Sequence, residues 1–240
     1  MKKTVVGWAA AAGLVLGLLA GRPVEAQDMQ QKVAAAKQAA AQNQQALHAY
    51  TWIEKTEIAV KGEVKNTKIE SCRYGPDGKV QKTPLSEPAQ KEQDTPHGPK
   101  AKMKAQMKEK VVEKKTGEMK AEMEAAGALV HQYLPPSSEK IQAAIAAGKI
   151  TVTPGAATAL RIADYLKPGD SLDLTLAPGQ GMKSIAVKSY LDSPDKAVTL
   201  NVQMQSLPDG TSYPGAIVLA VPSDNIEVRI TNSNYQKVAQ

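Results

Sequence analysis

The stretch AVTLNVQMQSLPDGTSYPGAIVLAV, residues 197–221, decides the fold class. Val198, Leu200, Val202 and Met204 alternate with polar residues at period two, the spacing that puts every second side chain on one face of a strand. Leu207-Pro208-Asp209-Gly210 follows as a turn, its Asp-Gly pair suited to a hairpin that needs positive φ. Ala216–Val221 then returns as the next strand. One face of this hairpin is apolar and the other polar, as in an antiparallel sheet with one side packed.

The same pattern extends in both directions. Ile226, Val228 and Ile230 continue it towards the C-terminus, and Leu172, Leu174 and Leu176 precede it. Between Gly181 and Leu191, Met182 and Ser184 give way to Ile185, Val187 and Ser189 on the opposite phase, which predicts a β-bulge. From Lys149 to the end the chain reads as β-rich, and short strands joined by Asp-Gly and Pro-Gly turns predict a curved antiparallel sheet. A second β region begins at Tyr50. Thr56, Ile58 and Val60 alternate, Lys61-Gly62-Glu63 turns, Val64–Tyr74 forms a second strand, and Gly75-Pro76-Asp77-Gly78 leads into a third over Lys79–Leu85. About eight strands are expected in all.

Helices are predicted on either side of that meander. Asp28–Ala49 is rich in Ala and Gln with no Gly or Pro, and Val33, Ala36, Ala40 and Leu47 form a narrow apolar stripe. Ser86–Pro99, with three prolines, reads as a loop. Lys100–Val130 reads as a long helix in which Met103, Met107 and Val111, then Met119, Met123, Gly127 and Val130, recur on one face, with dense Lys and Glu opposite. Gly117 is its expected weak point. After Pro135-Pro136, Ser137 or Ser138 caps a short helix through Ala147, with Gly148 just beyond its end. The helical insertion thus runs from about 100 to 148. The expected architecture is α+β, a curved antiparallel sheet with an N-terminal helix and this insertion.

The N-terminus reads as an export signal. Lys2 and Lys3 precede an uncharged run, Val5–Ala20, and Val24-Glu25-Ala26 places small residues before Gln27. Cleavage after Ala26 is expected, leaving one domain over 27–240 in the bacterial periplasm or cell exterior. Losing Lys2, Lys3, Arg22 and Glu25 takes the formal charge from +6 to +4. That charge is too small and too dispersed to indicate nucleic acid. The lysine-rich face of the long helix leaves peripheral contact with a membrane surface open.

Residues with the spacing of a reactive centre are missing from the sequence. His48, His97 and His131 stand far apart, with no metal-ligand spacing. Cys72, the single cysteine, reads as a small apolar residue on a strand. Gly179-Gln180-Gly181 lies between two strands and reads as a hairpin. Asp192 and Asp195, beside Pro194, read as solvated turn carboxylates. No catalytic residue, metal site or cofactor is expected. The methionines are the functional candidates, because a flexible, polarisable side chain adapts to ligands of irregular shape. Met103, Met107, Met119 and Met123 either line an apolar cavity or fill the core between helix and sheet.

Arg73-Tyr74-Gly75-Pro76-Asp77-Gly78-Lys79, Asp164-Tyr165-Leu166-Lys167-Pro168-Gly169-Asp170, Leu207-Pro208-Asp209-Gly210-Thr211 and Asn232-Ser233-Asn234-Tyr235 occur in a familiar order of elements. In that order the chain resembles the LolA-like superfamily of periplasmic proteins, closest to an uncharacterised exported group. It departs from them in having no Phe and in its long, charged helical insertion. The resemblance implies an unclosed β-barrel wrapped around helices and a non-catalytic carrier of lipid, lipoprotein or another apolar ligand. It equally admits an envelope sensor or assembly factor that binds a protein partner.

Overall fold

The computed structural model describes residues 38–85, 99–177 and 181–238, the side chains of 99–113 and 115 excepted. The export signal 1–26, the start of the first helix, most of the loop Ser86–Pro99, and Gly179 and Gln180 lie outside the described residues. So do the side chains of Met103 and Met107.

Among the described residues, ten strands form one sheet. They are β1 (Tyr50–Val60), β2 (Glu63–Tyr74), β3 (Val80–Pro84), β4 (Ile150–Thr153), β5 (Thr158–Ala163), β6 (Ser171–Ala177), β7 (Gly181–Tyr190), β8 (Ala197–Ser206), β9 (Ser212–Val221) and β10 (Ile226–Lys237). Their order across the sheet is β3-β2-β1-β10-β9-β8-β7-β6-β5-β4. Every neighbouring pair is antiparallel, and β3 and β4 are free edges, so the sheet is not closed. Two meanders are therefore joined where the first strand pairs with the last, Tyr50 opposite Lys237 and Val60 opposite Ile226. Three helices accompany the sheet among the described residues: α1, described over 38–47, α2 (Pro99–Val130) and α3 (Ser138–Ala146). The last two link one edge strand to the other.

The expectation of about eight strands is corrected to ten. The region after Lys149 contains two short strands whose alternation is too brief to count separately: β4 has only four residues, and β5 contributes only Leu160 and Ile162 to the core. The bulge predicted in 181–191 is present. Ser184 pairs with Thr175 and Met182 with Leu176, leaving Lys183 as the extra residue, so Met182, Ile185, Val187 and Ser189 all reach one face. A bulge that the pattern did not announce falls in β10, where Asn234 adopts a left-handed φ of 53° and Tyr235 is brought to the face of Trp52.

Register shows why one face is the core. Leu160, Leu174, Ile185, Val202 and Ile217 succeed one another directly across β5 to β9, and all are buried. Ala126 and Val130 of α2, Ile141 and Ala144 of α3, and Tyr133 between the helices pack onto this row. α2 runs unbroken through Gly117, contrary to the expected weak point; the helical cost of one glycine, about 1 kcal/mol, is spread over 32 residues. α3 starts as predicted, with the Ser137 side chain accepting from the Lys140 amide at 3.3 Å, and Gly148 takes a left-handed φ of 65° beyond its end.

Asp170 fixes the helices to the sheet. The buried Tyr133 hydroxyl donates to its Oδ2 at 2.5 Å and accepts from Ser189 Oγ at 2.8 Å. The Leu166 and Lys167 amides donate to the same carboxylate at 3.1 and 2.9 Å, folding the Asp164–Asp170 turn around it. Lys196, before β8, reaches Glu122 of α2 at 2.6 Å. Hydrogen bonds to a charged acceptor contribute about 1.5–3 kcal/mol each. Tyr133→Phe should therefore cost about that much in urea unfolding, and Asp170→Ala more, because it leaves a hydroxyl and two amides without their acceptor.

Candidate functional site

Of the four methionines singled out, Met119 and Met123 can be placed. Both are half-buried on α2, and Met123 packs at the rim of the core cluster. Ala126 and Val130 continue their face into full burial, so among its described side chains the helix sinks into the core in its last turns. The predicted stripe is real over 119–130; its continuation through Met103 and Met107 lies outside the described side chains.

Beyond that rim the core face of the sheet stays apolar while its burial falls. Met204 of β8, Leu219 of β9, Val228 and Ile230 of β10, and Ile58 and Val60 of β1 all belong to the core face by register, yet each is only half-buried. The β4–β8 half is sealed by α3 and the end of α2. The half around β9, β10 and β1 carries an apolar strip with solvent access.

At one end of the strip the core face turns polar. Trp52, Glu54 and Thr56 of β1 alternate in the phase that Ile58 and Val60 continue, so Glu54 occupies a core position. It pairs in register with Glu70 of β2 on one side and Asn232 of β10 on the other, and all three are buried. Buried carboxylates are tolerated when paired, and each has a lysine. Lys82 of β3 bonds Glu54, which Thr56 also reaches at 3.4 Å, and Lys68 meets Glu70 at 2.6 Å. Asn232 donates from Nδ2 to the Pro214 carbonyl at 2.8 Å. Its Oδ1 and the indole Nε1 of Trp52 are buried without a hydrogen-bond partner.

Aromatic rings pack around this corner. Trp52 stacks on Tyr235 at 5.6 Å with planes 8° apart, Tyr213 lies 4.2 Å from Tyr235, and Tyr74 lies 5.4 Å from Trp52. Burial raises the hydroxyl pKa of Tyr235 far above the usual phenol value and pushes that of Tyr74 up to about 12. α1 closes the end of the cluster. Asn43 pairs with the Ser212 backbone in both directions, at 2.8 and 2.7 Å, Leu47 is buried, and His48 stacks on Tyr74 at 4.4 Å. Tyr50 donates to Asp209 Oδ2 at 2.6 Å, and Lys237 lies 3.2 Å from the same oxygen. The residues of this corner were missed as functional candidates; the signal available was Glu54, a carboxylate on the apolar phase of an alternating strand.

Elsewhere the geometry offers less. An open cleft of about 540 Å³ lies on the opposite face, at the β1–β2 and β9–β10 turns, lined by Val64, Ala59, Ala220 and the paired Glu227 and Arg229 among others. No group of three or more potential metal ligands occurs among the described residues, and no described helix is long and apolar enough to cross a membrane.

Two outcomes follow from the titrating groups. The Tyr50 hydrogen bond, then those from Thr211, hold the Asp209 carboxyl well below the usual carboxylate range. The stability this contributes is complete above the unfolded carboxylate value, about 4, and is lost as pH falls through the depressed folded value. Urea midpoints of wild type and Tyr50→Phe should therefore differ at pH 7 and converge progressively below pH 4. Cys72, 1% exposed on β2, has its thiol pushed up to about 12, chiefly by burial. Since the thiolate is the reactive form, an aromatic disulfide reagent should modify Cys72 at least about a hundredfold more slowly in the folded protein than in 8 M urea. Compared with known proteins, the chain matches no family model, no curated protein and no solved structure.

Proposed function

We propose that the protein is a non-catalytic binder or carrier of an apolar ligand, a lipid or the acyl part of a lipoprotein, held on the concave face of its unclosed sheet. The observation that carries this reading is the half-buried strip of Met204, Leu219, Val228, Ile230, Ile58 and Val60, continuous with the core, at whose rim Met123 of α2 also packs. Ordinary packing would seal such a run; burying a side chain of this size stabilises a fold by about 1.5–3 kcal/mol. A strip that keeps solvent access on an otherwise well-packed face is suited to an apolar guest. Met123 of α2 supplies a flexible side chain at its edge that can repack around acyl chains of differing length.

The reading extends to the architecture and address. An unclosed antiparallel sheet with helices packed on one face is the arrangement that the LolA-like resemblance implies. The signal-like segment 1–26 would deliver such a carrier to the periplasm, where apolar cargo needs shielding from water. The paired carboxylates Glu54 and Glu70 are already matched by Lys82 and Lys68, which suits a structural role and supports no catalytic one.

Native mass spectrometry of protein purified without detergent should show adducts of lipid mass. Ile230→Glu, which sets a carboxylate in the strip, should abolish those adducts while leaving the circular dichroism spectrum unchanged. Bare protein mass across several preparations, with no uptake of added decanoate, would count against the carrier and favour the envelope interaction module.

A further inference from the structure

We infer that the polar corner beside the strip is a recognition site for an uncharged head group that both donates and accepts a hydrogen bond, an alcohol or carboxamide at the end of the apolar ligand. This rests on the carrier reading and adds the class of ligand to it. Trp52 is 6% exposed and Asn232 8%, yet indole Nε1 and amide Oδ1 have no partner. An unmet buried donor or acceptor costs about 1–3 kcal/mol, and native proteins carry few. Here two occur on the core face of adjacent strands. Asn232 stands directly opposite Glu54, and Trp52 is the next core-face residue along β1.

Their chemistry is complementary. Indole N–H can only donate, and Oδ1 can only accept, because Asn232 commits its Nδ2 to the Pro214 carbonyl. A carboxylate or phosphate satisfies the indole and leaves Oδ1 facing another acceptor. An ammonium satisfies Oδ1 and leaves the indole facing a donor. A hydroxyl or a primary amide meets both. The charges nearby select in the same direction, since Glu54 and Glu70 are each balanced by a lysine and offer an ion no surplus of either sign. The strip of Ile230, Val228 and Leu219 begins one core-face position beyond Asn232 and would receive the tail.

Four ligands of one chain length separate the possibilities: 1-decanol, decanamide, decanoate and decylammonium, titrated calorimetrically into the full chain at pH 7.5. Decanol and decanamide should bind about tenfold more tightly than either ion, the discrimination that one or two buried hydrogen bonds provide. Trp52→Phe, which deletes the only donor of the pair, should remove that advantage. As a readout independent of that variant, the ¹⁵N–¹H indole signal of Trp52, the one tryptophan beyond the signal-like segment 1–26, should shift with decanol and decanamide and stay fixed with decylammonium. If none of the four binds, the carrier reading itself fails. If all four bind alike and the indole signal does not move, the carrier stands, the two atoms are left to ordered water, and the inference is overturned.

Discussion

The pairing of β1 with β10 is the constraint on which the rest of the molecule depends. Without it there would be two separate meanders, one of three strands and one of seven, and the smaller has little with which to cover its core face. Pairing along nearly the whole of both strands, interrupted only at the Asn234 bulge, makes one continuous apolar surface from β9 to β1. The bulge also determines what stands at the end of that surface. It turns Tyr235 towards Trp52 and thereby assembles the aromatic group under α1. These contacts join opposite ends of the sequence, so the first strand finds its partner only after the last has been made. Such non-local pairing slows folding relative to a chain of local hairpins.

Two styles of burial divide the sheet. On β5–β8 the core face is aliphatic and sealed, and the polar network Tyr133–Asp170–Ser189 at its end is satisfied. On β1, β2 and β10 the corresponding face carries two carboxylates, an amide and an indole, paired in part and left open in part. The first arrangement contributes stability. The second gives some up, and positions that relinquish stability inside an otherwise consistent core are where binding chemistry concentrates.

Much of this was legible in the residues. Alternation at 198–204 and the Asp-Gly turns gave the antiparallel class, the phase change in 181–191 gave the bulge, and Ser137 and Gly148 marked the ends of α3. All three are local signals, with side-chain period and turn chemistry fixed within a few residues. The joining of β1 to β10 left no such trace, because register between distant strands is written in the complementarity of two faces rather than in either one. The polar corner was hidden for the same reason. Trp52, Glu54, Glu70 and Asn232 are unremarkable singly and come together only when three strands align them. The methionine stripe was visible because a helix displays its face in its own sequence.

An unclosed sheet has a further consequence, because each free edge is a row of unpaired amides and carbonyls that a second copy could extend. Here β3 has five residues and ends on Pro84, which cannot donate to a ladder, and it carries Lys82. At the far side β4 has four residues, flanked by Lys149 and Pro154. Neither edge is long enough or bare enough to template a growing stack of chains. Proline and lysine on short edge strands, rather than barrel closure, thus guard both sides of the sheet against pairing with a second copy.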